Sequence, residues 1–125
     1  MAGATGELTD LAALLRNLRP VLDNTPYGFR TAPTGAVIPD DAFAIIRETE
    51  GMTIVAPGEG WARISLSVHS SLFAIGLSAA ISAALVKWAI PCNIVAGFHH
   101  DHLFVPWERG ADAMAAIATL SEAAR

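Results

Sequence analysis

The cleanest alternation in the chain runs from Trp61 to Val68. Ala62, Ile64, Leu66 and Val68 are apolar, whereas Arg63, Ser65, Ser67 and His69 are polar. A period of two predicts a strand with one buried face. The alternation breaks at His69-Ser70-Ser71. Phe73, Leu77, Ile81, Leu85 and Trp88 then recur at helical spacing, so a helix is predicted from about Ser71 to Trp88. A serine hydroxyl at its start can act as the cap. Pro91 forbids its continuation. Leu72, Ile75, Ala79, Ala83 and Val86 make a second apolar face on the same helix. A surface helix needs only one such face, so the second predicts a further helix of this chain or of a partner subunit. Cys92–Ala96 and His102–Val105 read as short strands across the turn Gly97-Phe98-His99-His100-Asp101, and Gly110–Arg125 as a last helix.

The first part of the chain patterns less sharply. Met1–Glu7 carries no periodicity and is expected to be disordered. Thr9 can cap a helix with Asp10 in its first turn. Leu11, Leu14, Leu15 and Leu18 form its stripe, and Pro20 lies just past its end. Tyr27–Thr31 and Ala36–Ile38 predict a hairpin across Pro33-Thr34-Gly35. Pro39-Asp40-Asp41 opens a predicted second helix holding Phe43, Ile45 and Ile46, which Gly51 ends. Met52–Ala56 is a strand. Pro57-Gly58-Glu59-Gly60 is the linker.

That linker divides the chain into residues 1–57, of order α-β-β-α-β, and residues 58–125, of order β-α-β-β-α. Each is a β-α-β-β-α-β unit lacking one terminal strand, at opposite ends. The fold class expected is α+β: a ferredoxin-like two-layer sandwich whose antiparallel sheet carries helices on one face and stays polar on the other.

Composition narrows the function classes. The 125 residues are 53% hydrophobic, which supplies a core for one domain or two very small halves. The net charge is −4, and the eight Lys and Arg residues form no cluster, so no nucleic-acid partner is expected. A single cysteine, Cys92, excludes an intrachain disulfide and suits a reducing, cytoplasmic setting. The N-terminus has neither the basic nor the apolar region of a signal peptide. Ile64–Val86 contains no formal charge, but its period changes at His69–Ser71. Its helical part falls short of the roughly 20 residues a membrane span needs and carries Ser78 and Ser82. No membrane association is expected.

Two clusters carry candidate chemistry. His69-Ser70-Ser71 stands at a predicted helix N-terminus, where free N–H groups suit a carboxylate, and Asn93 can add donors. The alternative is that a serine merely caps the helix and His69 is a surface residue. His99-His100-Asp101-His102 holds three imidazoles and a carboxylate. Strand alternation puts His100 and His102 on one side, and His69 is the nearest outside residue for a metal site. The alternative is a polar turn bent by Asp101, with the histidines lining a ligand cleft or an interface. A nucleophile built on Ser70 or Cys92 lacks any elbow or hydrolase signature, so no enzymatic activity is expected. Gly58-Glu59-Gly60 lacks the Lys-Ser/Thr of a phosphate loop.

Ser67-Val68-His69-Ser70-Ser71-Leu72, Gly76-Leu77-Ser78-Ala79-Ala80, Cys92-Asn93-Ile94-Val95-Ala96-Gly97-Phe98 and His100-Asp101-His102-Leu103-Phe104-Val105-Pro106 together resemble a family of small stand-alone bacterial ACT-domain proteins with paired ACT-like halves. The likeness is close in the second half. It is looser in the first, through the leucine helix and Glu50-Gly51-Met52-Thr53-Ile54-Val55. The resemblance implies a regulatory domain that binds an amino acid or similar carboxylate near the first strand–helix loop, without a cofactor and as a homodimer. Carried over, that loop is His69, Ser70, Ser71 and Leu72, faced by Asn93 and Ile94; the reading of the histidine turn as a cleft wall adds His100 and His102 to the expected ligand-binding residues. Where ACT loops usually carry an acidic residue and a Pro-Gly pair, this chain has His69, Ser70 and Ser71. An oligomerisation module without a small ligand, and a metal protein using His69, His100 and His102, remain the alternatives.

Overall fold

The computed structural model describes residues 10–125. The readings of Met1–Glu7 as disordered and of Thr9 as a cap lie outside the described residues. Asp10 itself is the N-cap of helix α1 (Leu11–Arg16), its carboxylate accepting from the Ala12 amide at 3.3 Å. The strands that follow are β1 (Pro20–Leu22), β2 (Tyr27–Ala32), β3 (Ala44–Glu48), β4 (Gly51–Pro57) and β5 (Trp61–Leu66). Helix α2 (Leu77–Val86), strands β6 (Asn93–Ala96) and β7 (Asp101–Pro106), and helix α3 (Gly110–Ala123) complete the order.

All the described strands share one antiparallel sheet, β3-β4-β2-β5-β7-β6, with β1 paired to β5. The register sets Pro20 opposite Leu66 and Leu22 opposite Ile64. The order β5-α2-β6-β7-α3 agrees with the alternation and helical spacing of the sequence. It lacks a fourth strand, and β1 supplies it from the other end of the same chain. The resulting β1-β5-β7-β6 sheet with helices against it is the ferredoxin-like ACT-type α+β arrangement.

The helices cover one face. Ala62, Ile64 and Leu66 of β5 and Leu103 and Val105 of β7 meet Leu14 of α1, Leu18 just after it, Leu77, Ile81 and Leu85 of α2, and Ala113, Ala116 and Ile117 of α3. Each fully buried leucine or isoleucine contributes on the order of 1.5–3 kcal/mol of transfer free energy. The second apolar face read on the long helix is not covered: Leu72 and Ile75 lie in the loop before α2, and they and Ala79, Ala83 and Val86 are all exposed.

Several expectations are corrected. Residues 39–51 form no helix: Ala44–Glu48 is strand β3, paired with β4 across the two-residue turn Thr49-Glu50. Ile45 and Ile46 are β-branched and pack well on a pleated surface, and that preference outweighs the helix-start signal of Pro39-Asp40-Asp41. Gly51 serves this turn with φ at 144°; a Cβ there would lie 2.6 Å from the Ala32 carbonyl oxygen. Ala36–Ile38 is not a strand, and the partner of β2 is β4, Tyr27 through Ala32 opposite Pro57 through Met52.

The first 57 residues therefore read α-β-β-β-β, not α-β-β-α-β. The linker at Pro57–Gly60 does not separate two packing units, because α1 and β1 complete the core of the second half. Nor is the far face of the sheet polar. Tyr27, Val55 and Phe104 are buried there with Phe43, Trp61 and Val95 around them. Tyr27 meets Phe43 and Phe104 edge-on, with ring centres 5.9 and 5.8 Å apart. The Arg63 guanidinium lies 4.4 Å from the Phe43 ring centre and pairs with Asp23 at 2.6 Å, so the polar residue of the alternation is absorbed into this layer.

Candidate functional site

Strand β5 ends at Leu66, and α2 does not begin until Leu77. The predicted helix start at Ser71 is thus six residues early. Gly76, at φ of 94°, is the N-cap, a left-handed conformation that glycine adopts without strain. Ser71 does not cap α2. Its Oγ accepts from the Phe73 amide at 3.0 Å, and its carbonyl accepts from Ala74 at 3.0 Å, which closes a local turn. The α2 N-terminus accordingly has no side-chain cap and no acidic residue in its first turn. Phe73 and Ile75, 88% and 85% exposed, lie in the loop and not on the helix stripe.

Across from this loop is the β6–β7 turn. The Gly97 amide donates to the His100 carbonyl at 2.9 Å, and a Cβ on residue 97 would stand 2.9 Å from that oxygen. Between loop and turn lies a pocket of about 100 Å³. Ser70, Ser71, Leu72, Ala74, Leu77, Ser78, Ala96, Gly97 and Asp101 line it. Ser70 is 8% exposed. Burial raises the Asp101 carboxyl above its usual range, and a hydrogen bond with Ser70 and the nearby His100 oppose that rise. Larger hollows on the helical layer, such as the one of about 300 Å³ between α2 and α3 lined by Ala80, Ala83, Trp88, Ala116 and Leu120, are more open to solvent and mainly apolar.

The sequence-read residues divide between pocket and elsewhere. Ser70, Ser71 and Leu72 line the pocket. His69 stands beside it, its ring centre 5.4 Å from that of His99 and 6.3 Å from that of His100, with Nε2 buried and unpartnered among the described residues. His100 Nδ1 lies 3.3 Å from the Val68 carbonyl oxygen and ties the turn to the loop. Asn93 and Ile94 are not brought to the site. Strands β5 and β6 are both antiparallel to β7 and hence parallel to each other, so the end of β5 faces the end of β6 at Ala96, not its start at Asn93. Asn93 is exposed, and Ile94 packs against the helical core.

His102 also leaves the site. It hydrogen-bonds through Nδ1 to Ser65 Oγ at 2.7 Å, and its ring meets Phe43 edge-on at 4.8 Å, on the aromatic face of the sheet. Burial is the main cause that lowers its pKa, with Arg63 and His100 adding to it. His100 and His102 are thus apart, because His100 belongs to the turn and strand alternation does not reach it. The set His69, His100, His102 is not assembled, and among the described residues no three His, Cys, Asp or Glu are grouped to hold a metal ion. Burial pushes the Cys92 thiol up to about 11, leaving it almost entirely unionised at neutral pH. Sequence reasoning missed Asp101 as a pocket residue, together with Ser78, Ala96 and Gly97. The short spacing between Gly97 and Asp101 was the available signal, since so tight a turn must place the first residue of the next strand beside the last residue of the previous one.

No helix among the described residues is long and apolar enough to cross a membrane. A comparison with curated proteins finds no match. Among solved structures, a protein of unknown function from Vibrio cholerae, described as a possible transport protein, is 33% identical over 85% of this chain and 92% of that one, with a TM-score of 0.72. A protein from Agrobacterium tumefaciens is 19% identical over 78% of this chain and 84% of that one, TM-score 0.65. The regulatory subunit of aspartate kinase from Thermus thermophilus, in its ligand-free form, is 13% identical over 81% and 95%, TM-score 0.61, a likeness of fold. A family model described as ACT domain matches residues 5–67, just over half of the chain. The likeness read from the sequence rests mainly on the second half, whereas the model matches the first half and ends on Ser67, within the loop that borders the pocket. The chain belongs to the ACT-domain family, a family of regulatory domains that bind small ligands.

Proposed function

We propose that this chain is a non-catalytic regulatory domain that binds an amino acid in the pocket between the β5–α2 loop and the β6–β7 turn. The observation that carries this reading is the pocket itself: about 100 Å³, walled by three serines and Asp101, at the strand–helix loop to which the sequence resemblance points. On one wall, the first residues of α2 supply uncapped backbone N–H groups suited to a carboxylate. Ser70 and Ser71 are the binding residues carried forward from the sequence, with Leu72 as an apolar wall. His69 and His100 support the loop and turn from behind. The single unpaired cysteine supports a reducing, cytoplasmic setting.

A second reading is an assembly module working as a homodimer. Leu72, Phe73, Ile75 and Phe98 are all exposed, on the loop and the turn that frame the pocket, and β6 is an edge strand with one free side. The two readings separate in one screen. A thermal-shift series against the twenty amino acids is expected to give a saturable rise with at least one. Ligand at 100 times its Kd stabilises by about 2.7 kcal/mol, or several degrees for a chain of this size. Ser71→Trp, which fills the pocket, should abolish the shift, and Asn93→Ala should leave it intact. No shift with any amino acid, in a protein that sediments as a dimer, would leave only the assembly reading.

A further inference from the structure

We propose that Asp101 is the ammonium-binding residue of this pocket, and that the ligand is a small amino acid with an uncharged side chain, recognised by its ammonium group. This rests on the reading of the pocket as the ligand site and adds what the site selects. Asp101 is the one charged side chain in the lining; the other walls are three serine hydroxyls, apolar groups and Gly97. None of the ion pairs among the described residues involves it, although each of the other buried or half-buried charges near the sheet, Arg63 and Asp23, has its partner. A carboxylate partly withdrawn from water, with no ion-pair partner and only the His100 imidazole nearby, gains from an incoming ammonium group. Ser70, itself buried, stands beside it in the lining.

The same lining sets what is refused. No lysine or arginine stands there to balance a second negative charge, so a ligand that is only anionic meets Asp101 uncompensated, and an acidic side chain meets it too. Size limits the choice further. A pocket of about 100 Å³ walled by short side chains favours glycine, alanine, serine and threonine over the aromatic amino acids.

The test compares, by calorimetric titration of the full chain, glycine, alanine and serine with glycolate, lactate and glycerate, in which a hydroxyl replaces the ammonium. At least one amino acid is expected to bind ten times or more tighter than its hydroxy acid, and Asp101→Asn should erase that ratio while keeping the native melting profile. A hydroxy acid that binds as tightly as its amino acid would overturn the role of Asp101 and leave the pocket reading standing. So would an Asp101→Asn protein that keeps the ratio. Tighter binding of a large or acidic amino acid would overturn the stated selectivity alone. No binding by any of the six compounds, or by the remaining amino acids, would overturn both readings. The isostere comparison uses the unaltered chain, so it decides the question even if Asp101→Asn does not fold.

Discussion

His102 shows how one residue can carry two plausible sequence readings and a third structural role. Its position two residues after His100 suggests a shared ligand set. In the fold it packs between Ser65 and Phe43, on the face opposite the helices. Burial, then Arg63 and His100, holds it neutral by lowering its pKa below 6.5. The unfolded chain takes up a proton at this residue at a higher pH than the native chain does. Stability from His102 is therefore complete above about 6.5 and lost as pH falls toward the depressed native value. Equilibrium urea unfolding from pH 7.5 to 5 is expected to show a slope that His102→Gln reduces. An identical slope in the variant would contradict the buried, neutral assignment. Asp101 has the reverse sign. Its raised pKa makes the native state the stronger proton binder, so its contribution falls as pH rises through the native value. Ser70 and Ser71 stand out in the sequence as hydroxyls beside an expected helix start, and the fold places both in the lining of the pocket although α2 begins only at Leu77. Asn93 was misplaced because the direction of a parallel crossover is a property of topology, and no local pattern encodes it.

At the scale of elements, strict periodicities transferred to the structure and mixed ones did not. The alternation of Trp61–Leu66 and the spacing of Leu77, Ile81 and Leu85 each name a buried face correctly. Residues 39–51 offered a cap-like start and three apolar residues too few to fix a period, and tertiary pairing with β4 decided the outcome. The start of α2 was obscured by Gly76, which reads as a small residue inside a helix until its left-handed φ is known. The least legible relation is the pairing of β1 with β5, some forty residues apart. It has a direct consequence. A fragment of residues 58–125 would lack α1 and β1 and expose Ile64, Leu66 and Ile117, whose partners Leu14 and Leu18 are fully buried in the chain. Loss of a single core leucine costs about 2–5 kcal/mol, so loss of several exceeds the usual stability of a small domain. Circular dichroism is expected to show that fragment without a cooperative melt. A cooperative melt near that of the full chain would restore the boundary at Pro57.

For the whole molecule, a single sheet is covered on one side by three helices and on the other by an aromatic layer anchored at Phe104. Both faces of the sheet are occupied, which leaves its strand ends and its edge at β6 open. At one of these ends the β5–α2 loop and the β6–β7 turn close on a small polar pocket. Their position, more than any single side chain, supports a ligand-binding function within the ACT-domain family. The most direct measurement is amide chemical-shift mapping of the ¹⁵N-labelled full chain, titrated with each of the twenty amino acids. The account predicts saturable changes confined to Ser70–Ser78 and Ala96–Asp101, with Asn93 and the α2–α3 groove at Ala80 and Trp88 unmoved. Saturable changes centred on that groove, or no change with any amino acid, would contradict it.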